Sequence, residues 1–307
     1  GANNVAVGMR SLFSNTTAGS NTAVGYQAAY SNATGTNITA VGRAALYYNT
    51  ANNNTALGKL AGYNNTSGTN NVFIGSESSA SGFSAGYSNT TGSQNVALGA
   101  NALGSNTTAS NNTAVGFQAA YSNTTGAYNT AFGYQTLLDN TTGYANAAFA
   151  ADAMGNNTTG FDNTALGNAA MFQNTTGSYN VALGRAALQN NTTASNNTAV
   201  GYQAGYSNTT GADVTAIGAF AGYSLTTGTR NTYLGKNAGY FNTTATGNTF
   251  IGHSSSGQGA GQSVTTGSDN TILGGYNGNQ GGLDIRTSSN NIVLSDGTGN
   301  PRVIVDN

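Results

Sequence analysis

Apolar residues and glycines recur along the chain with a period of 17 residues. Each apolar stretch ends at an anchor glycine, and the steps between anchors measure 17 residues except for single steps of 16, 24 and 22. A fixed period this short predicts a stack of similar units rather than one globular core. Ala150 fills the one anchor position that lacks glycine. The anchors include Gly25, Gly42, Gly116, Gly133, Gly167, Gly184, Gly201, Gly218 and Gly235.

The residues directly before each anchor predict a short β-strand. Thr198-Ala199-Val200 before Gly201 is typical: the first residue is Thr, Val or Ala, the second is usually Ala, and the third is always apolar. Such β-branched, period-two segments favour strands. Because the third position is always apolar, we expect it to face the interior. A second short strand is expected over residues 202–206, followed by a polar turn over residues 207–211.

An asparagine precedes almost every predicted strand. A column of amides, one per unit, can hydrogen-bond along the stack and satisfy polar groups that a thin core cannot bury unpaired. An array of N-glycosylation sites is the alternative, because Asn-x-Thr occurs often in the chain. The ladder explains why the asparagines recur in phase, and it is therefore favoured. Its members include Asn112, Asn129, Asn163, Asn180 and Asn197.

Together these patterns predict an all-β fold, a parallel β-solenoid or β-roll of about sixteen 17-residue units over residues 1–274. A short β-rich cap or neck is expected over residues 275–307. Each unit supplies few apolar residues, so the core is thin and the entropy of ordering the chain weighs heavily. We therefore expect the chain to associate, most simply as a parallel homotrimeric fibre.

The composition argues against several function classes. Charged residues make up 6% of the chain and the net charge is -1, which gives no basis for binding nucleic acid or anionic lipid. No apolar run approaches the roughly 20 residues that span a bilayer. The chain has no cysteine and only one histidine, from which neither a catalytic triad nor a histidine-based metal site can be assembled. We expect no enzymatic activity, no metal and no cofactor.

Two sets of side chains are candidates for receptor or glycan contact. The first is an aromatic column five residues after the anchor, where rings could stack on sugars; packing of the rings between units is the favoured alternative. The second lies in the two enlarged units, which carry Glu77 and His253 just after their anchors and could form binding loops. The residue directly after the anchor is basic in some units and aromatic in others, which predicts that it faces solvent. The aromatic column includes Tyr30, Tyr47, Tyr63, Tyr121, Tyr206, Tyr223 and Tyr240.

The unit Asn197-Thr198-Ala199-Val200-Gly201, followed by Tyr202-Gln203-Ala204, resembles the head repeat of trimeric autotransporter adhesins. The resemblance covers residues 4–274 and implies a left-handed parallel β-roll that forms trimers. The adhesin repeat is usually shorter, and the Asn-Thr-Thr-Gly turn is additional here. Residues 283–306 resemble the region before the intramolecular chaperone domain of phage tail fibres and endosialidase-type proteins.

These resemblances imply an extracellular structural fibre protein of a phage tail or similar surface appendage, which attaches to a glycan or protein receptor on the host surface. A bacterial extracellular adhesin or a self-assembling surface filament is the alternative. An ice-binding solenoid ranks last, because the column of threonines that begins at Thr22 and Thr39 has no second matched column beside it.

Overall fold

The computed structural model describes residues 1–77 and 82–305, and these ranges contain strands and turns but no helix. The predicted all-β, parallel β-solenoid fold is confirmed: each turn contributes one three-residue strand, which pairs in parallel with the strand of the next turn. The chain divides into two compact units, residues 1–159 and 160–307.

The first unit contains β1 to β9: Val5–Val7, Thr22–Val24, Thr39–Val41, Thr55–Leu57, Val72–Ile74, Val96–Leu98, Thr113–Val115, Thr130–Phe132 and Ala147–Phe149. The second contains β10 to β16: Thr164–Leu166, Val181–Leu183, Thr198–Val200, Thr215–Ile217, Thr232–Leu234, Thr249–Ile251 and Thr271–Leu273. It continues with β17 to β20: Asn279–Gln280, Leu283–Asp284, Ile292–Ser295 and Pro301–Val305.

In β2 to β16 the middle residue of the strand is buried inside the solenoid, and its two neighbours point outward. In β12, Ala199 is fully buried between Ala182 and Ala216, whereas Thr198 and Val200 are partly exposed. The expectation that the always-apolar third position faces the interior is therefore wrong. The reason is the strand pleat, which places the first and third residues on one face, combined with an interior so narrow that alanine usually fills it.

The predicted second strand over residues 202–206 is also wrong, because this segment forms consecutive turns. Alternate residues adopt left-handed backbone conformations, with φ of 52° at Gln203 and 60° at Gly205. The segment still bonds to its neighbours: the N–H of Gln203 donates to the carbonyl of Arg185 at 3.0 Å, and that of Gly205 to Ala221 at 2.8 Å. The stack thus holds non-glycine residues in a conformation that they rarely adopt alone.

The anchor position requires glycine for two reasons. Gly201 has a φ of 135°, outside the region that side chains tolerate. A Cβ atom there would lie 2.7 Å from the carbonyl carbon and oxygen of Gly218 in the next turn, so adjacent backbones approach too closely for a side chain. Ala150 is the exception and has a φ of 96°.

The predicted asparagine ladder is confirmed. The Asn180 Oδ1 accepts a hydrogen bond from the backbone N–H of Asn197 at 2.9 Å, and its Nδ2 donates to the carbonyl of Ala194 at 2.9 Å. The side chain therefore joins two polar backbone groups that would otherwise be buried without a partner. The same backbone N–H bond is made to the Oδ1 of Asn112, Asn129, Asn163 and Asn197.

A second asparagine ladder, not predicted, runs through the Asn-Thr-Thr-Gly turns. The Nδ2 of the fully buried Asn123 donates to Asn106 Oδ1 at 2.9 Å and to the carbonyl of Gly126 at 3.0 Å. Its own Oδ1 accepts from Asn140 Nδ2 at 2.8 Å. Asn123 and most of the other buried members of this ladder lie in Asn-x-Thr sequences, and their burial in the folded chain removes them as N-glycosylation sites. Other Asn-x-Thr asparagines, such as Asn37 and Asn196, are exposed.

We expect Asn242→Leu to stabilise the protein. Asn242 belongs to the second ladder, but the corresponding residues in the adjacent turns are Leu225 and Val264, and both buried polar atoms of its side chain lack a hydrogen-bond partner. Replacing such a group by an apolar one removes an unpaired desolvation cost of about 1–3 kcal/mol. Denaturant unfolding measures the change.

The matched control for Asn242→Leu is Asn123→Leu, which deletes three hydrogen bonds in a complete part of the ladder. We expect this variant to lose stability by several times the usual value of about 1 kcal/mol for one bond. Equal shifts of the unfolding midpoint in the same direction would contradict the assignment of the ladder.

The parallel ladder extends one turn beyond the expected end at residue 274. β19 pairs in parallel with β16, and the N–H of Asn291 donates to Asn270 Oδ1 at 2.9 Å, which continues the first asparagine ladder. β20 then pairs antiparallel with β19. The hairpin of β19 and β20 covers the hydrogen-bonding edge that a final parallel strand would otherwise expose.

Candidate interaction surfaces

The third residue of every ladder strand forms what we call the outer apolar column. In the second unit, Leu166 is 51% exposed and Leu234 is 42% exposed, although both are large and aliphatic. Single exposed apolar residues are ordinary on protein surfaces, but one in each turn forms a row of apolar side chains within each unit, a feature typical of interaction surfaces. The sequence signal for this column was the always-apolar third position of each strand. Exposed members of the first unit are Val7, Leu57, Leu98, Phe132 and Phe149.

The last hairpin widens this column in the second unit. Leu294 of β19 continues the register of Leu273, and Val303 of β20 lies opposite Leu294. All three side chains are exposed. The apolar surface is therefore two strands wide at this end of the second unit.

The predicted aromatic column forms stacks between turns. In the first unit, the rings of Tyr30 and Tyr47 lie 4.9 Å apart with an interplanar angle of 4°, and those of Tyr47 and Tyr63 lie 5.2 Å apart at 25°. In the second unit, Tyr223 stacks between Tyr206 at 5.1 Å and Tyr240 at 4.9 Å. A ring within such a stack uses both faces on its neighbours, which favours the packing alternative over glycan contact.

The packing of the aromatic column raises the pKa of several tyrosine hydroxyls. Burial raises the pKa of Tyr63 to about 12, and a hydrogen bond with Tyr48 is the second cause. Burial, followed by the neighbouring tyrosines, likewise raises the pKa of Tyr47 and of Tyr223. These shifts keep the hydroxyls protonated and suit a structural role.

Tyr121 shows how the first insertion contributes to the aromatic column. In the adjacent turn the corresponding residue is Gly104, which offers no ring. Phe83, at the end of the enlarged unit, supplies one: its ring lies 5.9 Å from that of Tyr121 and 5.1 Å from that of Tyr87. Phe83 therefore fills the gap that Gly104 leaves in the aromatic column, between the rings of Tyr87 and Tyr121.

Glu77 and His253, the two candidate contact residues of the enlarged units, are engaged in local structural contacts. Glu77 forms an ion pair with Lys59 of the preceding turn. The predicted insertion over residues 76–83 includes residues 78–81, which lie outside the described ranges. His253 is exposed and forms an isolated antiparallel bridge with Gly259, which closes the second insertion. Within the described ranges, no group of three His, Cys, Asp or Glu residues could hold a metal ion.

The acidic groups near the C-terminus are engaged in local structure. The Asp296 Oδ1 accepts hydrogen bonds from the backbone N–H groups of Thr298 and Asn300 and from the Thr298 hydroxyl, and its Oδ2 pairs with Arg302. The Thr298 hydroxyl contributes most to lowering the pKa of this carboxyl. These donors fold the residues into a turn.

No family model, no curated protein and no solved structure matches this chain. Among the residues that the structure describes, no helix is long and apolar enough to cross a membrane. The outer apolar column and the aromatic surfaces are therefore the features on which a functional argument can rest.

Proposed function

We propose that the chain is a structural segment of an extracellular fibre, of a phage tail or a similar surface appendage, that mediates attachment to a host surface as a parallel homotrimer. The observation that carries the proposal is the outer apolar column. A solenoid that exposes one large apolar residue in each turn has a surface suited to identical copies of itself, since parallel copies place equivalent residues side by side in every turn.

The energetics support association. Full burial of a Val, Leu, Ile or Phe side chain contributes about 1.5–3 kcal/mol. In the single chain the residues of this column are exposed, as Leu166 and Leu234 are, or partly exposed, as Val115 and Val200 are. Even a contribution of about 1 kcal/mol per residue, repeated in each turn, would exceed the cost of bringing copies together. The low charge of the chain leaves little electrostatic repulsion between copies.

A bacterial extracellular adhesin or a self-assembling surface filament shares this architecture and is the alternative function. Immunogold labelling with an antibody against this chain separates the two: label on the tail fibres of virions supports the phage assignment, and label on a bacterial envelope supports the adhesin. An ice-binding solenoid is weaker, because the threonine column stands beside the bulky outer apolar column instead of a second row of hydroxyls.

We expect the purified chain to sediment as a trimer at micromolar concentration, and the double variant Leu166→Asp/Leu234→Asp to sediment as a monomer. Both positions are exposed in the single chain, so aspartate there is solvated in the monomer but buried and unpaired in the assembly. Circular dichroism should show that the monomeric variant keeps its β-structure.

Thr176→Asp is the control for the association test, because Thr176 is exposed in the same turn as Leu166 but lies outside the outer apolar column. We expect this variant to remain trimeric. A wild-type chain that sediments as a stable, folded monomer, or a double variant that stays trimeric, would refute the proposed assembly.

A further inference from the structure

The first unit carries an exposed aromatic pair outside the columns described above. Phe117 and Tyr134 each follow an anchor glycine, and their rings lie 5.6 Å apart with an interplanar angle of 15°. Tyr134 is 51% exposed. Since Phe132 pairs with Phe149, the residue that corresponds to Tyr134 in the next turn is Ala151, which is too small to cover a ring. One face of Tyr134 is therefore stacked and the other is open.

A row of hydrogen-bond acceptors runs beside this pair. Gln135 and Asp152 follow Tyr134 and Ala151 in their turns, and both adopt left-handed conformations with φ of 50° and 58°. Gln135 Nε2 donates to Gln118 Oε1 at 2.8 Å, which shows that the side chains of this row line up from turn to turn. Within the described residues, neither Gln135 Oε1 nor the Asp152 carboxylate accepts a hydrogen bond.

We propose that Tyr134, Gln135 and Asp152 form a binding site for a neutral saccharide. The apolar C–H face of a sugar ring stacks on the open face of Tyr134, because the negative face of the aromatic ring attracts polarised C–H groups. The sugar hydroxyls donate to Gln135 Oε1 and to the Asp152 carboxylate, which are acceptors without protein donors. The negative charge of Asp152 disfavours phosphorylated or otherwise anionic sugars. This inference rests on the proposed attachment function and assigns it a ligand class.

Tyr202 and the stacked tyrosines of the aromatic column differ from Tyr134 in what contacts their rings. Tyr202 also follows an anchor, but the Arg185 guanidinium lies 5.9 Å from its ring centroid, and the Phe220 ring packs at 5.1 Å with an interplanar angle of 87°. These two neighbours contact the Tyr202 ring, which is less exposed than that of Tyr134. The stacked tyrosines of the aromatic column have neighbours on both faces, as at Tyr47. Tyr134, by contrast, has one open ring face beside the acceptors of Gln135 and Asp152.

The test is a titration of the full chain with neutral hexasaccharides, namely maltohexaose, cellohexaose, mannohexaose and chitohexaose, followed by NMR and calorimetry at millimolar concentration. We expect at least one to bind, and Tyr134→Ala to weaken that binding about tenfold or more. Asp152→Ala should also weaken it, and Tyr134→Trp should retain it. Tyr202→Ala is the matched control and should bind as the wild type does.

The inference is overturned if none of the four saccharides binds at about 10 mM, a concentration that detects millimolar dissociation constants. It is also overturned if Tyr134→Ala and Tyr202→Ala weaken binding equally. Sedimentation separates this failure from failure of the proposed function: Tyr134→Ala should remain trimeric. A trimeric fibre without saccharide binding rejects the site alone, whereas a monomeric wild type rejects the assembly.

Discussion

Ala199→Asp is expected to unfold the turns around β12, whereas Val200→Asp is expected to leave the single chain folded. Ala199 is fully buried between the alanines of β11 and β13, so an aspartate there would be an unpaired carboxylate in the interior. Such a group costs several kcal/mol or is forced to take up a proton. Val200 lies on the outer face, where a carboxylate in the single chain can reach water.

Thermal unfolding and hydrogen exchange distinguish the two variants. Because each turn contacts only its neighbours, the Ala199→Asp variant should lose amide protection around β11 to β13 at every protein concentration. The Val200→Asp variant should differ from the wild type only where the wild type is associated, with a midpoint shift that disappears on dilution. Equal midpoints for both variants under dilute conditions would show that the inner and outer faces have been assigned the wrong way round.

The sequence alone predicted the period, the strand and the first asparagine ladder, because each depends on one residue type that recurs at one place. The inner face was not predictable in the same way. Side chains of a strand point alternately to its two faces. In a strand as short as Thr198-Ala199-Val200, this rule allows either the middle residue or its two neighbours to face the interior. Hydrophobicity favours valine over alanine for the interior, but the narrow cross-section admits alanine and leaves the valine on the outer face.

The region after the anchor was misjudged because its backbone is unusual for its residues. Leu46 and Leu103 adopt φ of 50° and 49°, values that leucine rarely takes and that no composition signal reveals. The second asparagine ladder was missed for a different reason. Asn-Thr-Thr-Gly is a favourable turn sequence in its own right, so the regular recurrence of asparagines such as Asn123 was attributed to turn formation.

Where the middle residue of a strand is aromatic, glycines make room for it. Phe73 of β5 is fully buried, and the neighbouring turns supply Gly62 and Gly86 on its two sides. A Cβ atom at Gly86 would lie 2.2 Å from Phe73 Cδ1, and one at Gly62 would lie 2.5 Å from Phe73 Cδ2. Both glycines occupy the position that holds leucine in some other turns, such as Leu103. A large residue in the middle of one strand is therefore compensated by glycine at this position in the adjacent turns.

Gly86→Leu is therefore expected to destabilise the protein by about 3 kcal/mol or more, at the upper end of overpacking costs, and Phe73→Ala by about 3–5 kcal/mol through the cavity it leaves. The combination of both should cost less than either change alone, since a leucine beside an alanine strand is the arrangement found at Leu103. Backbone strain is not the cause, because Leu103 has a φ of 49° and Gly86 has one of 59°. Gly205→Leu is the control: its Cβ would lie 3.0 Å from the flexible Leu188 side chain and at an ordinary van der Waals distance of 3.7 Å from Ala199 Cβ. A double-mutant cycle by denaturant unfolding measures the coupling, and additive effects of the two changes would rule out the exchange of volume between turns.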